Sequence, residues 1–473
     1  MSVRLLLLPV VLALAGCASV GLDYAPPRLD MPVGWSQAED TDTITTASPD
    51  DIGRWWKRLG DPLLARLVEE ALEASPGMRL AVTRLREARA RRAVALAGFF
   101  PSVSATGRAT RSQSSKESGS GRIGELYNAG LDASWEVDVF GGVRRSLEAA
   151  TADTESAEAS LDQARVSLAA EVALNYVMVR GFQERLRIAR DNLSSQSETL
   201  EITMWRAEAG LAGDVDVERA RGDCEQTRAR LPVLEASLAE ARHALETLLG
   251  KAPGALAERL GSGGELPVVP HRFAVGIPAD TLRQRPDIRA AERSLAAETA
   301  RVGVAEAARY PSLTLSGSIG LEALTPGGLG GTDAAAWSLL SGITAPVFNA
   351  GKLRNQVEIQ DAVRERAAVA YEQAVLTALR EVEDALSGLL RSRERAVALT
   401  DAVAAASRAA ELARWNYEAG LKDFQMVLET RRTLLSVEDS LAESRADAVT
   451  SVIKLYKALG GGWSAQSGPD PAL

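Results

Sequence analysis

The chain has 473 residues, and its 54 Lys+Arg against 63 Asp+Glu leave a formal net charge of −9, which argues against a nucleic-acid binder working through a basic surface. With two Cys and two His, a Cys/His zinc cluster, a disulfide framework and an H-E-x-x-H metalloprotease are all excluded. Hydrophobic residues make up 46% and aromatics 5%, with Ala, Leu, Glu and Arg heavily used, so the composition favours long helices over disorder or a compact mixed domain.

Arg4 precedes an apolar run from Leu5 to Ala15 that is too short to cross a bilayer as a helix. Residues 1–16 therefore read as a secretory signal. Leu14-Ala15-Gly16-Cys17 matches the bacterial lipobox at every position. That match implies cleavage before Cys17, acylation of its thiol and amine, and an acylated N-terminal extension over residues 17–61. By resemblance to such signals, Ala18 in place of Asp points to the outer membrane.

From residue 62 onward the chain repeats itself with an offset of 210. Pro76, Arg79, Leu85, Pro101-Ser102 and Gly107 fall on Pro286, Arg289, Leu295, Pro311-Ser312 and Gly317, within 12 identities over 32 ungapped positions. The same register carries Glu171-Val172 onto Glu381-Val382, Trp205 onto Trp415, and Glu208-Ala209-Gly210-Leu211 onto Glu418-Ala419-Gly420-Leu421. The repeats are placed at 62–250 and 286–460, with a linker over 251–285 and a tail over 461–473.

Each repeat reads helix, strand, strand, long helix, return helix. Pro76 to Gly98 has no internal breaker and predicts a helix, which Pro101 ends. Alternating residues predict strands over about 102–110 and 127–139, and over 312–319 and 336–348. Ser/Gly-rich and Gly/Thr-rich loops separate them, Arg111 to Gly124 and Thr325 to Asp333. The long helices are expected over about 143–209 and 352–419, each about 100 Å at 1.5 Å per residue. Gly210 and Gly420 end them as left-handed caps, and return helices run to about Gly250 and Gly460. Pro232 is expected to kink or break the first return helix.

Four strands cannot close a transmembrane barrel, whose smallest forms have eight, and lipid does not tolerate open edges. Three chains would supply twelve strands. Trp135 and Trp337 fit either an interfacial girdle or an ordinary core. Gly261-Ser262-Gly263-Gly264 lacks the Lys-Ser ending of a phosphate loop and reads as linker. His243 and His271 are structural, Cys224 packs between helices, and no Ser-His-Asp arrangement is supported, so no enzyme is expected.

Further residues carry a family likeness: Val20-Gly21-Leu22-Asp23-Tyr24, Trp55-Trp56, Gly60-Asp61-Pro62, Trp135 to Gly141, Arg285 to Arg293, Leu379 to Leu386 and Ala458 to Trp463. From Cys17 to Trp463 the chain resembles the outer-membrane factors of tripartite efflux systems, the TolC-like channels, and within them the NodT-like lipoprotein branch. The resemblance implies a mainly α chain with a small β part. Duplicated helical hairpins would form a trimeric periplasmic α-barrel, capped by a twelve-stranded transmembrane β-barrel with four strands per chain. It implies a homotrimer in outer-membrane lipid, a periplasmic adaptor, an inner-membrane RND-type pump, and no cofactor beyond the covalent lipid on Cys17. Adaptor docking maps onto the tips, Gly210-Leu211 and Gly420-Leu421. An acidic periplasmic gate maps onto Asp423 and Glu429, with Asp216 and Asp214 of the first repeat alongside. Met426 stands where many relatives carry Asp, and a ring of three Met would constrict by packing instead of charge. Passive conduction of small molecules is the expected function. A type I protein-secretion duct and a non-channel periplasmic structural lipoprotein remain as alternatives.

Overall fold

The structure is a computed structural model that describes residues 19–27, 30, 32, 34–36, 44–45, 52–261, 263–270, 273–274 and 282–463. The signal segment, Cys17, His271 and the tail beyond Trp463 lie outside the described residues. Eight α-helices are described: α1 (Pro62–Ala74), α2 (Pro76–Ala97), α3 (Gly142–Glu208), α4 (Asp214–Leu248), α5 (Ala257–Leu260), α6 (Pro286–Ala307), α7 (Lys352–Glu418) and α8 (Phe424–Ala458). Four long strands accompany them: β1 (Ser102–Gln113), β2 (Ile123–Val137), β3 (Ser312–Ala323) and β4 (Ala335–Thr344). The long helices α3 and α7 have 67 residues each, and the return helices α4 and α8 have 35 each. This equality is the duplication expressed as structure.

Pro232 does not break α4, which continues through it. Its ring is exposed, so the carbonyl it leaves unpaired can be hydrated. Strand β2 starts four residues before the alternation predicts and stops at Val137. Asp138 is taken instead by the start of α3, its carboxylate accepting from Val143 N (3.1 Å) and Arg144 N (3.0 Å). Strand β4 stops at Thr344, two residues before Pro346, which has no N–H for a ladder. Strands β1 and β3 run past their expected ends, to Gln113 and Ala323, and the first hairpin loop is shorter than expected.

The chain divides into two compact units that cut across the repeats. The first unit takes residues up to 29, 84–158 and 290–373 and holds the sheet. Its strands run in the order β1-β2-β3-β4, all antiparallel. Small residues let its helices approach closely: Ala152, Ala296 and Ala297 pack together beside Tyr24.

The second unit takes residues 30–83, 159–289 and 374–473 and holds the main hydrophobic core. Leu64, Leu67, Val68 and Ala71 line one face of α1 at helical spacing and are fully buried. Asp61 caps this helix, accepting from Leu63 N (2.8 Å) and Leu64 N (3.0 Å), with Pro62 preset at the first turn. Its other oxygen accepts from the Tyr176 hydroxyl at 2.5 Å. Burial, together with that carboxylate, pushes the phenol up to about 12. Trp55 stacks on Tyr456 at 5.4 Å, so the Trp55-Trp56 pair is core rather than surface.

Glu70 of α1 pairs with Lys251 and accepts from Arg259 at 2.7 Å. Burial raises its pKa, but the bonds from Lys251 and Arg259 outweigh burial and hold it below the usual value. A carboxylate with a depressed folded-state pKa stabilises in full above its unfolded value. That contribution is lost as pH falls through the folded value. Glu70→Gln is therefore expected to lower stability at pH 7 by at most about 1 kcal/mol. In thermal unfolding, the gap from wild type should close as pH drops below about 4.

Candidate functional site

The register of the sheet sorts its side chains into two chemistries. Val103, Ala105 and Ala109 of β1 share a face with Trp135, Ala133, Leu131 and Tyr127 of β2. Leu313, Leu315, Ile319 and Leu321 of β3 and Ile343, Leu339 and Trp337 of β4 continue that face, with Ser341 and the Arg111–Glu125 pair as its polar exceptions. The opposite face carries Ser102, Ser104, Thr106, Ser134, Asp132, Asn128, Thr314, Ser316, Ser318 and Ser338, with Leu340 and Leu126 as apolar exceptions. Its hydroxyls bond across strands, Thr106 to Asp132 and Ser318 to Ser338, both at 2.8 Å. The apolar face is not packed on a core: Trp337 and Leu339 are each 79% exposed. The core reading of Trp337 therefore fails, and Trp135 is half-buried. Strands β1 and β4 each pair with one neighbour among the described residues, so the sheet has two open edges.

In the same unit an N-terminal segment is clamped against the start of α3. Val20 N donates to Phe140 O at 3.1 Å. Arg145, 4% exposed, donates to Val20 O and Gly21 O at 3.1 Å each, to Asp23 at 2.8 Å and to Glu148 at 2.8 Å. Tyr24 donates to Glu292 at 3.2 Å. These bonds give the Val20 to Tyr24 motif a physical reason. Sequence reading singled out the motif but not Arg145, whose burial depends on residues more than 120 positions away.

The second unit contains the two helix-to-helix turns. At the first, Gly210 has φ +70, Gly210 N donates to Ala207 O (2.9 Å) and Leu211 N to Arg206 O (2.8 Å). At the second, Gly420 has φ +72, with the same pair of bonds to Tyr417 O (3.0 Å) and Asn416 O (2.8 Å). Both are Schellman caps, and a side chain at either glycine would be strained by that φ. Leu211 and Leu421 are 70% and 72% exposed, and Trp205 and Trp415 are 60% exposed each. Each turn thus presents an apolar pair to its surroundings.

Beneath the turns Ala220, Ala413, Tyr417, Phe424, Val427 and Leu428 form a small buried cluster. Arg206 lies 4.4 Å over the Tyr417 ring and donates to Tyr417 O at 3.2 Å. Arg432 of α8 pairs with the buried Asp223 of α4, and Arg431 donates to Ser195 O of α3 at 2.7 Å. None of these arginines stood out in the sequence, because each partner is more than 200 residues distant.

The gate candidates divide between the two return helices. Asp423 caps α8, accepting from Met426 N at 3.3 Å. Asp423, Met426 and Glu429 recur every three residues on the exposed side of α8, while Phe424, Val427 and Leu428 face the cluster. Asp216 lies half-buried in the first turn of α4, with Asp214 exposed beside it. Cys224 is buried, and no metal-holding group of His, Cys, Asp or Glu occurs among the described residues. No described helix is long and apolar enough to cross a membrane.

A family model described as Outer membrane efflux protein matches residues 67–251 and again 277–461. The chain belongs to the outer membrane efflux protein family. Both matches are separated by the offset of the repeat, since 277 − 67 and 461 − 251 are both 210. The chain is 34% identical over 453 residues to Nodulation protein T of Rhizobium leguminosarum bv. trifolii, covering 95% of this chain and 94% of that protein. It is 33% identical over 478 residues to the pyoverdine export outer membrane protein OpmQ of Pseudomonas putida, covering 98% of each. The solved structure of the outer-membrane channel OprN superposes with a TM-score of 0.87 at 36% identity, over 94% of this chain and 100% of that one. This outer membrane efflux protein is thus mainly helical with a four-stranded sheet, and it is an outer-membrane channel protein by kinship. The exposed apolar face of its sheet has the chemistry that this location demands.

Proposed function

We propose that three copies join their sheets edge to edge into a twelve-stranded outer-membrane barrel and conduct small molecules passively to the exterior. The observation that carries this reading is the sheet itself: apolar residues on one face, hydroxyl and charged residues on the other, and two open edges. In lipid an open edge leaves backbone groups unsatisfied at several kcal/mol each, and β1 of one copy against β4 of the next removes both edges. The apolar face then meets lipid and the polar face lines water. A structural lipoprotein without a pore would have no use for such a sheet.

An inner-membrane RND-type pump supplies the energy, and a periplasmic adaptor docks on Gly210-Leu211 and Gly420-Leu421, where the exposed Leu and Trp pairs supply apolar anchors. The relative named for pyoverdine export supports small-molecule efflux over protein secretion. The lipobox Leu14-Ala15-Gly16-Cys17 supports a lipid on Cys17.

Three copies of Met426 narrow the periplasmic mouth by packing, with Asp423 and Glu429 adding charge and Asp216 flanking from the first repeat. In planar bilayers the purified protein is expected to show discrete conductance steps. Met426→Asp adds three carboxylates to the ring and should raise the cation-to-anion permeability ratio by roughly two- to threefold. Absence of steps from wild type, Met426→Asp and Gly420 tip variants alike would overturn the channel reading.

A further inference from the structure

Within the second unit, α3, α4, α7, α8, Gly261 and the segment 263–269 line a partly open cavity of about 1490 Å³. Its apolar wall includes Leu186, Leu238 and Leu266. Its charged wall is unbalanced. Arg187 is engaged by Glu184 (2.7 Å) and Asp191 (2.9 Å), and Arg190 by Glu235 (2.8 Å). Three further arginines, Arg242, Arg393 and Arg445, line the same space. Arg242 has no hydrogen bond or ion pair among the described residues, and its Nε is buried without a partner. A buried donor of this kind is costly unless something else accepts from it. Arg393 donates to Pro270 O and lies 5.1 Å over the Phe273 ring, with no carboxylate against it. Burial alone lowers its pKa, the signature of a desolvated cation lacking a counter-charge. Over the whole wall five arginines face four carboxylates, and Arg445 lies in the field of Glu184, so the surplus positive charge sits at Arg242 and Arg393. The α3–α8 seam, tied by Arg185 to Asp439 at 2.7 Å and 2.9 Å, makes this an intrachain space.

We propose that this cavity is a binding site for an amphiphilic organic anion, its phosphate, sulfate or carboxylate head held by Arg242 in the field of Arg393 and Arg445, and its apolar body against Leu186, Leu238 and Leu266. The volume accommodates a single-chain amphiphile or a short two-chain lipid. A free organic anion and an anionic lipid share the required chemistry.

The test is isothermal titration calorimetry on the full-length protein in nanodiscs of zwitterionic lipid, with empty nanodiscs subtracted. Octyl phosphate is the free-anion probe and dihexanoyl phosphatidic acid the lipid probe. Octyl glucoside and inorganic phosphate each lack one half of the ligand. Saturable binding of one probe per chain is expected, weakened about tenfold by Arg242→Gln and restored in part by Arg242→Lys. Arg242 has no partner in the protein, so this variant should keep the wild-type thermal midpoint. Arg445→Gln is the second variant and should weaken binding by a few-fold. Saturation by octyl phosphate identifies a free anion as sufficient, and saturation by the two-chain probe alone identifies lipid. Equal affinity in wild type and both variants, or equal binding of octyl glucoside, would overturn the proposal.

Discussion

Gly320→Val is expected to abolish assembly of the proposed trimer while leaving the helical content nearly intact. Gly130 and Gly320 face one another directly across β2 and β3. A Cβ at Gly320 would lie 2.6 Å from Ala129 O and 2.7 Å from Gly130 Cα. A Cβ at Gly130 would meet Ile319 O at 2.7 Å. These obstacles are backbone atoms held in a ladder, so no side chain can rotate away. The strands must part at the centre of the sheet. Overpacking in a core typically costs about 1–3 kcal/mol, and here the loss extends to ladder hydrogen bonds that lipid would not replace. Semi-native electrophoresis of membranes carrying the variant should show monomer in place of oligomer. A wild-type oligomer yield would mean that the strands are further apart than the geometry requires.

Arg285→Met should destabilise the second unit by about 3 kcal/mol. Arg285 is 5% exposed and ties three elements together. Its Nη1 donates to the carbonyl of Ala458, the last residue of α8, at 2.8 Å. Its Nη2 donates to Asp287 at the start of α6 and to Glu381 in the middle of α7, both at 2.7 Å. The substitution keeps the apolar stem but leaves a buried carbonyl and two carboxylates without their cation. Water reaches Asp287 and Glu381 in part, which holds the cost near the lower end of the range for a broken buried pair. Thermal unfolding of the purified protein should show the loss, and Arg285→Lys should recover only a fraction, since one ammonium cannot fork to both acids. An unchanged midpoint would show that the staple is replaced by solvent.

The duplication explains why this residue is conspicuous. In the first repeat the equivalent position is Ser75, whose hydroxyl accepts from Gly77 N at 3.2 Å. The left-handed glycines keep their symmetry, Gly250 against Pro76 and Gly460 against Arg285. Glu171 and Glu381 are also equivalent, yet only Glu381 has an arginine to meet. Backbone geometry was thus retained in both copies while charge was concentrated in one.

Much of the fold is legible in the residues because its signals are local. A Gly after a helical run must supply positive φ, so Gly210 and Gly420 end α3 and α7. Period-two alternation marks β1 and β3, and the 210-residue offset shows that one supersecondary plan occurs twice. The strand ends were less legible, because Asp138 could serve β2 or cap α3 and only the completed cap decides. Pro232 read as a breaker because propensity does not reveal whether the freed carbonyl will face water.

By itself the sequence determined the repeat, the long helices, the four strands and the apolar-polar alternation, all consequences of backbone sterics and side-chain period over a few residues. Only the tertiary structure decided which face of the sheet is mainly apolar, since that depends on register between strands up to 196 positions apart. It likewise decided that Arg145 and Arg285 are buried clamps while Arg242 is left without a partner. An arginine reads the same along the chain wherever it falls. Its role is set by which carboxylates and carbonyls the fold brings within reach, and by how much water the surrounding helices exclude.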